Sequence, residues 1–161
     1  MANFMMRQAT VDDARSVAEL CSHVHEIHHA ARPDFFKPFT LSDEMIGFFT
    51  ARLADEGYFV NIGEVDGETV GYVLAQVVNS PENIFAYASQ VVVIDQMGVN
   101  PKYRSQGYGE LLLKSAFEWA CERGITRVLL TVWAFNERAN QFYERLGFKA
   151  RHTRMEIMLG D

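Results

Sequence analysis

The segment Arg104-Ser105-Gln106-Gly107-Tyr108-Gly109 contains the residue types that a main-chain anion site needs. Its glycines let the backbone turn sharply and approach a ligand closely. Arg104 adds a permanently charged, planar guanidinium that suits phosphate oxygens. The apolar spacing from Leu111 to Ala120 predicts that a helix follows, and the first turn of a helix offers N–H groups and a positive dipole end. The segment is therefore predicted to hold a pyrophosphate.

Two other phosphate-binding motifs share these glycines but fit the chain poorly. A P-loop requires lysine and a hydroxyl residue directly after its last glycine, whereas Glu110 follows Gly109. A dinucleotide-binding fingerprint requires a third glycine where Leu112 stands and an acidic residue about 20 positions later, near Leu129. Neither requirement is met. A tight turn shaped only by two glycines stays open as the structural alternative.

The elements around this segment form a predicted strand–helix–strand unit. Apolar runs at Val91–Val99 and Arg127–Val132 predict two strands, which such a unit makes parallel. Ligands of open α/β sheets bind beyond the carboxyl ends of these strands. Asn136 is predicted to cap a further helix, which Gly147 ends.

These motifs together resemble the acetyl-CoA site of the GNAT superfamily of N-acetyltransferases. Arg104-x-x-Gly107-x-Gly109 follows a strand, and Asn136-x-x-Ala139-x-x-Phe142-Tyr143-x-x-x-Gly147-Phe148 follows at the family's usual separation. The resemblance implies that backbone amides of residues 105–109 hold the pyrophosphate and that main-chain groups of Met97 and Val99 pair with pantetheine. It also implies a bulge in that strand, for which Gly98 is the candidate. The residues assigned to acetyl-CoA are Met97, Gly98, Val99, Arg104, Ser105, Gln106, Gly107, Tyr108, Gly109, Asn136, Ala139 and Phe142.

Two residues are candidates for proton transfer. Tyr143 resembles the family's general acid, which protonates the coenzyme A thiolate as it leaves; its alternative role is packing beside Phe142. Asp95 lies on the central strand near the predicted opening, and we predict it as the base that deprotonates the acceptor amine. An exposed or hydrogen-bonded structural carboxylate is an equally good interpretation of Asp95.

A competing signature for a zinc hydrolase stands at His25-Glu26-Ile27-His28-His29, which matches H-E-x-x-H. The continuation Ala30-Ala31-Arg32-Pro33 supplies no third ligand and breaks the helix, so we predict no metal. In the acetyltransferase interpretation, His25 or His29 contacts the amine, and Phe35, Phe36 and Phe39 line an apolar acceptor pocket. Whether His25, His28 and His29 do so stays open.

Composition limits the number of domains, the kinds of partner and the expected location of the protein. The 161 residues, 48% hydrophobic and 22% charged, predict one domain spanning 1–161. A net charge of −6 argues against nucleic-acid binding and favours a cationic acceptor. No apolar run is long enough for a membrane span, no secretion signal is apparent, and Cys21 and Cys121 suit a reduced protein, so we expect a cytoplasmic location.

The expected fold is α/β (α+β): a mixed, mostly antiparallel twisted sheet with a central parallel strand pair and helices on both faces, the GNAT fold. The expected function is direct transfer of acetyl from acetyl-CoA to an amine of a small molecule or peptide. A noncatalytic acyl-CoA sensor is the alternative, and the acceptor and a homodimer stay open. Further predicted elements are strands at Met5–Ala9, Tyr58–Val65, Thr69–Val78 and Phe148–Leu159, a helix at Ser42–Ala54, and an Asp66-Gly67 hairpin turn.

Overall fold

The computed structural model describes residues 3–160, which divide into two compact units between Thr131 and Val132. The first unit contains five strands and three helices, and the second contains one helix. The strands are β1 (Phe4–Gln8), β2 (Tyr58–Val65), β3 (Glu68–Ser80), β4 (Ser89–Val99) and β5 (Val128–Leu130), and the helices are α1 (Ala14–Ala31), α2 (Asp43–Leu53), α3 (Tyr108–Glu122) and α4 (Glu137–Arg145).

The five strands form one mixed sheet in the order β1-β2-β3-β4-β5. The first three pairings are antiparallel, and β4 pairs with β5 in parallel over Val92–Ile94 and Val128–Leu130. The predicted mixed sheet and its parallel pair are confirmed. The pair lies at one end of the described sheet and not at its centre, because the segment 148–159, expected to continue the sheet, forms no strand there.

Helices cover both faces of the sheet in the first unit, as expected. Helices α1 and α2 pack on the face that carries Ile62, Tyr72 and Leu74, and all three side chains are buried in that core. Helix α3 packs on the opposite face, where Gly71 leaves room for Leu112: a Cβ at Gly71 would lie 2.9 Å from a Leu112 methyl carbon. Side chains alternate between the faces along β3, so both layers bury apolar surface against one strand.

Local sequence signals account for several element boundaries. Asp66 and Gly67 both have positive φ angles, 50° and 86°, as the predicted tight hairpin turn requires. Ser42 caps α2 by accepting a hydrogen bond from the Met45 backbone N–H at 3.2 Å. The Thr10 backbone N–H donates to Asp13 Oδ2 at 2.7 Å, which completes a capping box at a short 3₁₀ turn leading into α1.

The predicted strand at Phe148–Leu159 is wrong. Residues 149–160 contain no helix or strand, and Met155, Ile157 and Leu159 are at least 80% exposed. A strand forms only where a neighbour completes its hydrogen bonds, and apolar periodicity cannot reveal whether that neighbour exists. Between residues 3 and 160, no helix combines the length and apolarity that crossing a bilayer would need.

Candidate active site

A bulge in β4 shapes the edge of the sheet next to the predicted cofactor site. Leu74 on β3 lies opposite Gln96, but Ala75 lies opposite Ile94, so Asp95 is the extra residue. The parallel pairing with β5 also ends at Ile94. A bulge bends its strand and increases its twist, which explains why β5 stops at Leu130 and not at the predicted Val132. Strand β4 therefore continues for five residues past its parallel partner.

The bulge was expected at Gly98, and that prediction is wrong. Gly98 lies in regular register opposite Tyr72. A glycine suits position 98 for another reason. A Cβ there would make tight contacts, 3.2 Å from the Tyr72 ring and 3.2 Å from a Val24 methyl group on α1. Gly98 thus permits α1 to approach β4 closely, while the bulge stands three residues earlier.

Main-chain groups of Met97 and Val99 point away from β3, as pairing with an extended ligand would require. The Asn100 N–H donates to the Val70 carbonyl at 2.8 Å, which makes residues 70 and 100 a hydrogen-bonded pair of the antiparallel ladder. Such pairs alternate along a ladder, so the groups of residues 99 and 97 are directed to the other edge of β4. The main-chain groups of Met97 and the Val99 N–H thus face the edge predicted for pantetheine, and the Val99 carbonyl there accepts from Arg104 Nε.

The segment between β4 and α3 contains two residues with positive φ angles. Ser105 has φ +63° although it is not glycine, and Gly107 has φ +85° as the N-cap residue of α3. Gly107 has no side chain that could cap the helix, and the first intrahelical bond is that of Leu111 N–H to the Gly107 carbonyl. The N–H groups of residues 108–110 precede that bond and are oriented for an anion. The positive φ at Ser105 is unfavourable for a residue with a side chain. Residues in such conformations are concentrated at ligand sites.

Arg104 connects this segment to the β4 edge. Its Nε donates to the Val99 carbonyl at 3.0 Å, and the residue is half-buried. This bond holds the guanidinium beside the last residue of β4. Residues 97–99 and 104–109 are therefore neighbouring parts of one surface. The sequence showed only that the two segments are close along the chain.

An aromatic stack that the sequence analysis missed braces the start of α3. The rings of Phe4 on β1 and Tyr108 lie parallel, with centroids 4.4 Å apart and planes 5° apart. Phe4 can occupy this position only because residue 63 is glycine, since a Cβ there would lie 2.6 Å from Phe4 Cε2. Tyr108 is the first residue of α3, so the stack fixes the helix end at which the anion site is predicted.

The Asp95 carboxylate lies on the α1/α2 face of the sheet. Gln76 Nε2 donates to Asp95 Oδ2 at 2.7 Å. Partial burial raises the pKa of this carboxyl above its usual value, while the Gln76 hydrogen bond and the positive charge of Arg52 act in the opposite direction. The neighbouring Gln96 is held elsewhere: its Oε1 accepts from the Tyr72 hydroxyl at 3.0 Å and from Cys21 Sγ at 3.5 Å.

Helix α4 in the second unit begins and ends as the sequence predicted. Asn136 Oδ1 accepts from the Ala139 backbone N–H at 3.2 Å, so Asn136 is the N-cap. At the other end Gly147 has φ +93°, its N–H donates to the Glu144 carbonyl, and the Phe148 N–H donates to the Tyr143 carbonyl. This pair of bonds is a Schellman motif.

Tyr143 is held by aromatic neighbours on both sides. Its ring lies 5.3 Å from that of Phe142 and 5.7 Å from that of Phe148, both edge-on. The Phe148 contact is the hydrophobic one that accompanies the Schellman motif, so Gly147-Phe148 orients the phenol. Burial raises the pKa of Tyr143 to about 12. The hydroxyl therefore keeps its proton at neutral pH, as a general acid must.

The histidines at the end of α1 bond to the loop that follows. His25 Nε2 lies 2.6 Å from the Lys37 carbonyl and His29 Nδ1 lies 2.7 Å from the Phe36 carbonyl. A carbonyl only accepts, so each of these nitrogens carries hydrogen and is not the atom that could bind zinc. His28 stacks on Phe36 at 5.0 Å, and burial lowers its pKa. Within residues 3–160, no three His, Cys, Asp or Glu side chains form a group that could hold a metal ion.

Sequence relatives carry acetyltransferase names. The chain is 37% identical over 99 residues to an uncharacterized N-acetyltransferase of Methanocaldococcus jannaschii, a match that covers 62% of this chain and 42% of that protein. It is 31% identical over 107 residues to an uncharacterized N-acetyltransferase of Archaeoglobus fulgidus, covering 65% of this chain and 69% of that one. The chain thus spans less than half the length of the first relative.

Solved structures share the fold over nearly the whole chain. A tetramutant of a Bacillus halodurans protein has a TM-score of 0.88 at 28% identity and covers 96% of this chain and 99% of its own. An aminoglycoside N-acetyltransferase in complex with CoA has a TM-score of 0.78 at 16% identity, covering 98% and 95%. The family model described as acetyltransferase (GNAT) family matches residues 24–148, which include the bulged strand, the Arg104–Gly109 segment and α4. This chain belongs to the GNAT acetyltransferase family.

Proposed function

We propose that this chain is an acetyl-CoA-dependent N-acetyltransferase and that residues 1–161 are a single catalytic domain. The observation that carries the proposal is the positive-φ backbone at Ser105 and Gly107 before the uncapped start of α3, inside the region that the GNAT family model matches. A structural neighbour with this fold carries CoA. Ser105 is not glycine, so its positive φ is unfavourable, and such backbone is concentrated at ligand sites.

In the first unit, the cofactor is proposed to lie along the Arg104–Gly109 segment and the edge of β4. Its pyrophosphate accepts from the backbone amides of residues 105–109, with the Arg104 guanidinium beside them. Its pantetheine arm pairs with main-chain groups of Met97 and Val99, whose direction away from β3 supports this role. Gln106 and Tyr108 belong to the pyrophosphate segment, and Asn136, Ala139 and Phe142 contribute from α4.

The reaction is proposed to be a direct transfer. Asp95 takes a proton from the acceptor ammonium, and the neutral nitrogen attacks the thioester carbonyl carbon. As the new C–N bond forms, the C–S bond breaks and its electron pair goes to sulfur. Tyr143 gives its proton to that thiolate and regains one from the attacking nitrogen through water, so the products are an amide, free CoA and the proton on Asp95. The phenol's raised pKa and the position of Asp95 at the end of the β4–β5 pairing support these roles.

The acceptor is proposed to be a cationic amine. The net charge of −6 favours its approach, and the histidine and phenylalanine side chains between α1 and α2 offer an aromatic wall for it. One structural neighbour is named an aminoglycoside N-acetyltransferase, and a relative from Streptomyces lavendulae is named a streptothricin acetyltransferase.

The location is proposed to be the cytoplasm, and a homodimer remains a prediction.

Release of the CoA thiol in the presence of an amine panel tests the proposal. Polyamines, aminoglycosides, amino acids and basic peptides should include at least one amine that accelerates thiol release and gains an acetyl group by mass spectrometry. A noncatalytic sensor would instead bind acetyl-CoA without turnover of any amine. At 100 times its dissociation constant, acetyl-CoA would raise the free energy of unfolding by about 2.7 kcal/mol, which a thermal shift detects.

A further inference from the structure

The bulge in β4 puts two consecutive side chains, those of Asp95 and Gln96, on the same face of the sheet. In a regular strand, successive side chains alternate, so Asp95 and Gln96 would point to opposite faces. Gln96 bonds Tyr72, which lies on the α1/α2 face, and Asp95 bonds Gln76, which is separated from Leu74 by two residues and shares that face. Asp95 thus lies on the α1/α2 face, away from α3, and the bulge adds Gln96 to that face beside it.

Gln76 is the side chain that fixes the carboxylate on this face. Its Nε2 lies 2.7 Å from Asp95 Oδ2, a short distance for an amide N–H donating to a carboxylate. Gln76 sits in regular register on β3, opposite Val93, and it is half-buried. A paired strand is a more rigid support than the bulge itself. The bond engages one carboxylate oxygen, and a carboxylate has a second oxygen to receive a proton.

Three elements contribute side chains around Asp95, and those from α2 and α1 are charged or titratable. Arg52 of α2 acts on the carboxylate through its positive charge. Two contacts with Phe48 fix the position of Arg52. The Arg52 guanidinium lies 3.3 Å from the centre of the Phe48 ring, and its Nη1 donates to the Phe48 carbonyl at 3.0 Å. From α1, Cys21 Sγ donates to Oε1 of the neighbouring Gln96 at 3.5 Å, and burial raises the pKa of that thiol while Tyr72 acts in the opposite direction. From β3 the contact is the neutral Gln76.

We infer that Gln76 is a positioning residue for the proposed base: it holds the Asp95 carboxylate in the orientation from which it takes a proton from the acceptor amine. The inference rests on the proposed function, and it adds a residue that neither the sequence motifs nor the family resemblance assigns. The same bond also favours the charged form of Asp95, because it is donated to the carboxylate.

The test measures the Asp95 pKa directly and needs no ligand. Carboxyl carbons of aspartate are labelled with carbon-13, the Asp95 signal is assigned by its absence in Asp95→Asn, and its titration is followed by NMR. Gln76→Leu should raise the Asp95 pKa by about one unit, because the donor is lost. Gln76→Glu, nearly the same shape, should raise it further by placing a second carboxylate there. The matched control is Gln90→Leu, which removes a similar cross-strand bond to Asn79 at 2.9 Å between the same strands.

The kinetic counterpart uses acetyl-CoA with whichever amine of the panel is acetylated. Gln76→Leu should lower kcat about tenfold at pH 7, leave KM for acetyl-CoA unchanged and move the acid limb of the kcat/KM profile upward with the Asp95 pKa, whereas Gln90→Leu should move neither. An Asp95 pKa that stays constant in both Gln76 variants would overturn the inference. A full-activity Asp95→Asn enzyme would overturn the role of Asp95 as base, and the inference with it, while leaving acetyl transfer itself intact. Failure of every amine would instead refute the proposed function.

Discussion

Replacing Gly63 by alanine tests whether the Phe4–Tyr108 stack supports the start of α3. The new Cβ would lie 2.6 Å from Phe4 Cε2 and 2.8 Å from Cζ, whereas carbon atoms prefer about 3.5–4.0 Å. The ring would have to withdraw by about 1 Å, which its present position over Tyr108 does not allow without separating the two rings. The substitution therefore acts on α3 from another strand.

The expected loss of stability follows from two effects. Separating a stacked aromatic pair costs about 0.5–1.5 kcal/mol, and overpacking costs about 1–3 kcal/mol. We expect a total near 2 kcal/mol, which lowers the melting temperature of a protein of this size by about 4–8 °C. Because Tyr108 begins α3, the Kd for acetyl-CoA should also rise severalfold.

A double-mutant cycle distinguishes this explanation from general damage. In a Phe4→Ala background the clash is absent, so Gly63→Ala should cost less than about 0.5 kcal/mol by thermal or urea unfolding. Gly47→Ala is the control, because Gly47 lies in α2 with no atom within 4 Å of an added Cβ, and alanine there should stabilise the helix by about 0.5–1 kcal/mol. Equal costs of Gly63→Ala with and without Phe4 would refute the reasoning.

The remaining predictions concern the proposed general acid, Tyr143, and the proposed pyrophosphate site at Gly107. Tyr143→Phe should lower kcat about 100-fold with little change in the Kd for acetyl-CoA, whereas Tyr103→Phe, which removes a hydroxyl that donates to Glu68, should leave kcat unchanged. Since the pKa of Tyr143 is about 12, wild-type kcat should stay constant up to about pH 10, and a decline centred near pH 10 would argue against Tyr143 as the acid. Gly107→Ala should cost about 1 kcal/mol of stability through its positive φ and raise KM for acetyl-CoA, while Gly124→Ala, with φ +69° at the other end of α3, should cost similar stability without that change in KM.

The sequence predicted those features that depend on neighbours along the chain. Asn136 and Gly147 identified both ends of α4, and Asp66-Gly67 identified the hairpin, because caps and tight turns are set by a few adjacent residues. The glycine segment before α3 was found for the same reason, since its φ angles are a property of the local backbone.

Features that depend on a second strand were missed. The bulge was assigned to Gly98, although the adjacent polar residues Asp95 and Gln96 break the apolar alternation of β4 and were the available signal. The role of Gln76 could not be inferred, because the register of β3 against β4 decides which residue faces Asp95. The segment 148–159 has a strand-like composition, but composition cannot specify a pairing partner.

The pyrophosphate site is the claim on which the proposed mechanism depends, and a crystal structure with bound acetyl-CoA tests it most directly. We expect the diphosphate oxygens within about 2.7–3.2 Å of the backbone nitrogens of residues 105–109, at the start of α3. Acetyl-CoA bound in full occupancy with its diphosphate away from these nitrogens would contradict the account.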